Sequence, residues 1–355
     1  MLKKIAILIL CSIIFTGCTQ KQDKQEISFS SWGSVTEVKI LENIISEFEK
    51  ENPNTKINFI HIPQNYFQKL HLLFASNTAP DVVFINNLYL PLFANQLKDL
   101  SYEINQNDYY NQPLKALSYD NKILAIPRDA SNLILYINTD IVKLSPKTLD
   151  ELLEISLQIK EQNKYGISFE EDIYWASPYL SYYGEAFDEK FNVQDSQGFS
   201  FYKELRDKYK VAPTKSQVGS STLAQMFLDE KIAMYLSGRW MYPKINEKAK
   251  FNWIVAPFPY GKTPQACDAS GWAISKATKN EKLALDFVKF LSNEKNIKYF
   301  TETGLIVPAN KKIAQKLNNK QHNEFVFLEV LRNSQKMSIP KTYKKLVDDF
   351  NMKNF

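Results

Sequence analysis

Two rhythms of apolar positions alternate along the chain. Short runs such as ISFSSW (27–32), KINFIHIP (56–63) and DVVFIN (81–86) read as strands, the third apolar throughout. Between them Val38, Ile40, Leu41, Ile44, Ile45 and Phe48 recur at helical spacing, as do Phe67, Leu70, Leu73 and Phe74. Ser34 and Glu37 stand in capping-box positions before the first helix, and Asn52-Pro53 closes it. Strands alternating with helices, with strands this apolar, predict a parallel sheet covered on both faces.

The rhythm continues further on. KILAIP (122–127) and NLILYIN (132–138) read as two strands separated by Arg128, Asp129, Ala130 and Ser131. TLDELLEISLQIKEQ (148–162) is an amphipathic helix, and three helical stretches fall within 173–231. IAMYLS (232–237), NWIVAPFP (252–259) and GWAISK (271–276) read as strands, with a helix over GRWMYPKINEKA. EKLALDFVKFLSNEKNIKYFTE (281–302) predicts one long helix ending at Gly304. The chain has 355 residues, more than the roughly 250–300 at which a single core stops growing, so two lobes are expected.

The first residues stand apart from this pattern. Lys3 and Lys4 precede an apolar stretch from Ile5 to Phe15, and Thr16-Gly17-Cys18 follows. The stretch is shorter than the roughly 20 apolar residues a membrane span needs. Residues 1–17 are similar to a bacterial lipoprotein signal peptide, which implies cleavage before Cys18 and lipid on its thiol. Phe15 departs from the leucine more common at that place. Residues 18–26 are then a polar tether. On this reading the protein is exported and lipid-anchored to the cell membrane, facing the periplasm or the cell exterior.

Composition narrows the function. With 44% hydrophobic and 23% charged residues the chain is globular, and its 13% aromatic content is rich. Losing Lys3 and Lys4 lowers the net charge from +5 to +3. That is too mild for a nucleic-acid binder, and no basic stripe stands out. Of the three cysteines, Cys11 leaves with the signal and Cys18 carries lipid, so Cys267 has no disulfide partner. The ten glycines are isolated, which rules out a dinucleotide fingerprint or a P-loop. His61, His71 and His322 form no zinc motif, no G-x-S-x-G is present, and no cofactor or metal site is expected.

The order of several segments carries a resemblance. NPNTKINF, APDVVFINN, NKILAIPRDASNLILYINTD and TLDELLE are followed by YGEAFD, FLDEKIAMYLSGRW, VAPFP and GWAISKATKN. Over about residues 27–310 the chain resembles extracellular solute-binding proteins of ABC importers, of the sugar type. The resemblance implies an α/β periplasmic-binding-protein (Venus flytrap) fold, with two lobes joined by crossing hinge strands and the ligand between them. It places the N-terminal lobe at 27–128 plus 268–303 and the C-terminal lobe at 129–267 plus 304–355. The chain would cross near Arg128–Ser131, return near Cys267–Gly271, and cross again near Gly304–Pro308. Hinge closure on a sugar and delivery to permease subunits follow from it, and a monomeric binding protein rather than an enzyme is expected.

Ligands of open parallel sheets sit beyond the carboxyl ends of the strands. That rule selects Trp32 and Ser34 after the first strand, and Asn86, Asn87 and Tyr89 after the third. It adds Arg128, Asp129, Ser131 and Asn132 at the crossover, then Tyr174, Trp175, Arg239, Trp240, Asp268, Trp272 and Tyr343. The resemblance implies that Trp240 stacks on the sugar. Aromatic rings suit the C–H face of a pyranose, and Asn, Asp, Ser and Arg suit its hydroxyl rim. Trp253 lies inside a strand and reads as core. The resembling family often carries a glycine pair where this chain has Cys267-Asp268. Three alternatives stay open. Arg128 and Arg239 suit an anionic ligand such as glycerol 3-phosphate, a carboxylate pair would suit a surface glycosidase, and Tyr182-Tyr183 superficially resembles an Fe(III)-binding pair.

Overall fold

Apart from a two-stranded ladder of Ser118–Tyr119 with Lys122–Ile123, the strands of the described residues sort into two sheets, and most of the candidate residues lie where those sheets meet. The structure is a computed structural model that describes residues 24–317, 321–340, 343 and 347. The expected signal peptide, Cys18 and the tether as far as residue 23 lie outside them. In the first sheet β1 (Gln25–Ser31) pairs in parallel with both β2 (Thr55–His61) and β3 (Val82–Asn86). This is the parallel sheet that the apolar strands predict, and the ladder begins two residues before the expected strand start. Helix α1 (Val35–Glu51) follows β1 and carries the expected reciprocal capping box of Ser34 and Glu37. Its Leu41, Ile44 and Phe48 pack with Phe29 and Phe287 on one face of the sheet. Helix α2 (Tyr66–Ala75) covers the other face, where Leu70 and Phe74 pack with Val83, Ile85 and Phe93.

Three further strands complete this sheet and form the crossing. β4 (Ile126–Ser131) runs straight through Arg128–Ser131, so these residues are strand and not a connecting loop. β5 (Ile134–Asn138), β6 (Tyr165–Ile167), β7 (Ile232–Ser237) and β8 (Trp253–Ala256) belong to the second sheet. β9 (Ala266–Ile274) is nine residues long, much longer than GWAISK alone, and runs antiparallel between β3 and β4. β10 (Val307–Pro308) pairs with Asp129 and Ala130 of β4. The three crossings expected near Arg128, Cys267 and Gly304 thus lie side by side in one ladder. β11 (Gln335–Lys336) adds to the far end of β9.

The second sheet has the order β8–β5–β7–β6, with β6 parallel to β7 and the other pairs antiparallel. Helix α3 (Leu149–Lys160), capped by Thr148, packs Leu149, Leu152 and Ile159 on one side. Trp253 is buried in the core of the other side, as its place in a strand requires. The helix expected over 281–302 is two helices, α4 (Glu281–Leu291) and α5 (Glu294–Glu302). Ser292 closes the first, and Asn293 caps the second by accepting from the Asn296 backbone N–H. Gly304 then closes α5 at φ +76°, a conformation that favours glycine.

Candidate functional site

A cleft of about 740 Å³ opens where the two sheets face each other, within the roughly 300–1,000 Å³ usual for small-ligand sites. Its walls come from segments just beyond strand ends, as the carboxyl-end rule requires. After β1 stand Trp32, Gly33, Ser34 and Glu37; after β2, Pro63, Tyr66 and Phe67; at and after β3, Asn86, Leu88 and Tyr89. The opposite wall carries Asp172, Tyr174 and Trp175 beyond β6, and Arg239, Trp240 and Met241 beyond β7. Tyr343 and Val347 close one side.

The first wall is an aromatic platform. Trp32 is half-buried, with ring centroids 4.3 Å from Phe84, 5.0 Å from Tyr66 and 5.2 Å from Phe67. Phe67 stacks on Tyr89 at 4.0 Å and 12°. Tyr66 is anchored by its hydroxyl, which donates to the Ser30 carbonyl at 3.1 Å. Across the cleft Tyr174 packs edge-on against Trp175 at 5.0 Å. Trp240 is 37% exposed and offers a free face. Its ring lies over Gly238, where a Cβ would stand 2.0 Å from a ring carbon. The missing side chain at Gly238 is therefore what lets the Trp240 ring lie there, and its backbone conformation demands no glycine.

The floor is the pair of crossing strands. Ser131 faces Asp268 and Asp129 faces Ser270 across the β4–β9 ladder. Residues two apart on a strand share a face, so all four reach the cleft, and all four line it. Arg128 lines it too, over the ring of Phe84 at 4.2 Å. Its Nε donates to Asp129 Oδ2 at 2.5 Å and its Nη1 to Glu37 Oε1 at 3.4 Å. Glu37 in turn accepts from Ser34 N–H and Oγ, so the Ser34 hydroxyl is held within its capping box. Burial drives the Asp129 carboxyl upward against the opposing pull of Arg128. Burial, and then the charge of Asp129, push Asp268 up to about 7. Burial also raises Asp172, whose Oδ1 accepts from the Tyr174 N–H at 2.8 Å. Tyr174 and Tyr343 are held well above the usual phenol range by burial first and nearby carboxylates second.

Not every expected residue meets the cleft. Trp272 is 0% exposed, wedged between Phe29 and Phe84 with Phe300 beyond, and belongs to the core of the first sheet. It shares a face of β9 with Asp268 and Ser270, but there Phe29, Phe84, Phe300 and the Arg128 guanidinium cover it. Asn87 is buried as a clip: its Oδ1 accepts from Ala269 N–H at 2.9 Å and its own N–H donates to Ala269 O at 3.0 Å. Asn132 donates to Ala266 O at 2.8 Å and is absent from the lining. Asn86 lines the cleft while its Oδ1 accepts from the Tyr89 N–H at 3.2 Å, so it also caps the turn that follows.

Arg239 is 2% exposed and is held from behind. It donates to the Glu324 carboxylate and, through Nε, to Gly304 O at 2.7 Å. Both arginines are thus paired with carboxylates of the protein. Tyr182 and Tyr183 sit at the end of the helix Ser177–Tyr183, away from the cleft lining. The expectations omitted Phe67, Glu37, Asp172, Ser270 and Leu305. Phe67 was legible only as a helix-face residue, and Asp172 carried the N-cap signal of a turn with nothing to mark a cleft.

Four cleft residues carry buried polar atoms without a hydrogen-bond partner: Ser131 Oγ, Trp175 Nε1, Arg239 Nη1 and Asp268 Oδ1. Buried polar groups are nearly always paired, and such atoms at a cleft wall fit a polyhydroxylated ligand, which both donates and accepts.

The comparisons with known proteins bear on this geometry. A sequence profile of bacterial extracellular solute-binding proteins matches residues 43–325. The chain is 26% identical to the galactooligosaccharide-binding protein of Bacillus subtilis (strain 168), over 88% of this chain and 82% of that protein. It is 28% identical to the maltodextrin-binding protein MdxE of the same organism, over 80% and 73% respectively. Among solved structures, an ABC substrate-binding protein from Listeria monocytogenes in complex with cycloalternan superposes with a TM-score of 0.83 at 22% identity, covering 94% of this chain and 93% of that one. The maltotriose-binding protein of Thermus thermophilus gives 0.74 at 21% identity, covering 93% and 92%. These similarities establish the two-lobed fold expected from the sequence.

Proposed function

The chain belongs to the bacterial extracellular solute-binding protein family, and from that premise we propose that it captures a saccharide between its lobes and delivers it to the permease of an ABC importer. One observation carries this reading: a cleft between two lobes with aromatic faces on both walls and four unpartnered buried polar atoms. Flat rings cover the apolar face of a sugar, and the unpartnered groups wait for its hydroxyls. The names of the relatives, a galactooligosaccharide- and a maltodextrin-binding protein, point to an oligosaccharide. In this reading the lobes are 27–128 plus 268–303 and 129–267 plus 304–355, and β4, β9 and β10 serve as the hinge that lets them close. Cys18 carries the lipid that tethers the receptor to the membrane, and it acts there as a monomer without turnover of its ligand.

The test is a thermal-shift panel of neutral, amino-bearing and acidic saccharides on the chain from Thr19 onward. A binder present at 100 times its Kd stabilises the fold by about 2.7 kcal/mol, well within reach of a melting curve. A panel without a single shift overturns the reading. Recovery of shortened sugar after long incubation would make the protein a glycosidase instead.

A further inference from the structure

The charges lining the cleft do not balance. Among the described lining residues the cations are Arg128 and Arg239, and the anions are Glu37, Asp129, Asp172 and Asp268. Arg128 is shared between Asp129 and Glu37. Arg239 is neutralised by Glu324, which is not a lining residue. The cleft therefore presents four carboxylates against one guanidinium already bonded to two of them. Among the described residues neither Asp172 nor Asp268 has an ion-pair partner. Asp268 stands at the centre of this excess, on the hinge strand beside Ser131, with one carboxylate oxygen buried and unpartnered. The titratable groups acting on it or on its immediate neighbours are the acids Asp129, Glu37, Cys267, Tyr174, Tyr343 and Asp172, with Arg128, already bonded to Asp129 and Glu37, as the one cation.

We propose that Asp268 is a specificity-determining residue that accepts a hydroxyl or amino hydrogen bond from the ligand at the cleft floor and excludes ligands bearing phosphate or carboxylate. This rests on the saccharide reading above. A ligand anion would have to draw Arg128 from Asp129 and Glu37, or Arg239 from Glu324, leaving a buried carboxylate unpaired. It would also stand among like charges, which is how sites reject wrong partners. A hydroxyl meets neither obstacle. Protonation of Asp268 relieves the repulsion, so discrimination against anions weakens as pH falls, and its carboxyl at about 7 puts that change near neutrality.

The experiment is calorimetric titration with maltotriose, maltotriose 6-phosphate, 6-amino-6-deoxymaltotriose and glycerol 3-phosphate at pH 6 and pH 8, on the wild-type protein and on Asp268→Asn. At pH 8 the phosphorylated trisaccharide is expected to bind at least about tenfold more weakly than maltotriose, and the amino derivative at least as well. The gap narrows at pH 6. In Asp268→Asn it narrows at both pH values, and its pH dependence shrinks to what the second ionisation of the phosphate at about pH 6 leaves, while the melting curve reports whether the variant folds. The wild-type comparison of the probes at pH 8 stands even if it does not. Equal or tighter binding of either phosphorylated probe at pH 8 overturns the charge rule, as does an Asp268→Asn protein that folds and keeps the wild-type gap. If no saccharide binds but glycerol 3-phosphate does, both readings fall. If none of the probes binds, the role of Asp268 falls with the saccharide reading, whereas maltotriose binding without the gap overturns the charge rule alone.

Discussion

The indole of Trp32 packs on the ring of Phe84, centroids 4.3 Å apart, and Phe84 is itself fully buried beneath Arg128 and beside Trp272. One residue thus belongs to two structures. Its inner face completes an aromatic cluster of the first lobe, and its outer face lines the cleft.

Trp32→Ala is therefore expected to cost both stability and affinity. Truncating a half-buried Trp with three ring neighbours destabilises by about 2–3 kcal/mol, read from the denaturant midpoint. Affinity for a bound saccharide falls by about tenfold or more in the same variant, because the stacking surface is gone. Intact affinity in the folded variant would make Trp32 a core residue alone.

Gly238→Ala separates binding from folding more cleanly. The added methyl would stand 2.0 Å from the Trp240 ring. Trp240 is 37% exposed and its ring is the mobile end of the contact, so it moves aside at a cost below about 1 kcal/mol. The melting temperature stays near that of the parent while saccharide affinity drops several-fold. A parent-like affinity would show that the Trp240 ring does not touch ligand.

Glu324→Ala tests whether Arg239 is a lynchpin. Removing one partner of a buried pair leaves an uncompensated charge and costs about 3–5 kcal/mol. The double variant Arg239→Met with Glu324→Leu recovers much of that loss, because no lone charge remains. A denaturation series on the parent, single and double variants gives the coupling directly.

The pH dependence runs in two directions. Asp268 titrates at about 7 in the fold against 3.8 for an ordinary carboxyl. The folded state then holds the proton more tightly than the unfolded chain, so this group favours folding fully below about 4 and loses that contribution as pH rises towards about 7. Asp129, Asp172 and Glu170, all raised by burial, act in the same sense. The ligand-free protein is expected to melt at falling temperature between pH 5 and pH 7.5, less steeply in Asp268→Asn. Affinity for a hydroxyl donor moves the other way and rises over that range, because the ligand prefers the carboxylate. A flat melting profile in the parent contradicts the assignment.

The sequence by itself determined the strands, most of the helices and the strand ends from which the cleft is built. Apolar periodicity is local, and the burial that enforces it acts wherever a run such as DVVFIN occurs. The capping box of Ser34 and Glu37 is equally local, since its hydrogen bonds span three residues. Trp32, Tyr89, Arg128, Asp129, Tyr174, Trp240 and Asp268 were legible as cleft residues because each follows or crosses a strand end. Tertiary structure decided the rest. It turned Trp272 into core and Asp268 into floor, although they lie on one face of one strand, because Phe29, Phe84, Phe300 and Arg128 cover that face at Trp272 and leave it open to the cleft at Asp268. It brought Phe67 from the second helix onto Tyr89, a pairing with no trace in local spacing. It gave Arg239 a partner 85 positions away, Glu324, which neutralises the guanidinium and leaves its Nη1 for a neutral ligand group and not for an anion. Ion pairs and facing strands are long-range contacts, and neither periodicity nor residue type records which distant partner a charge will meet.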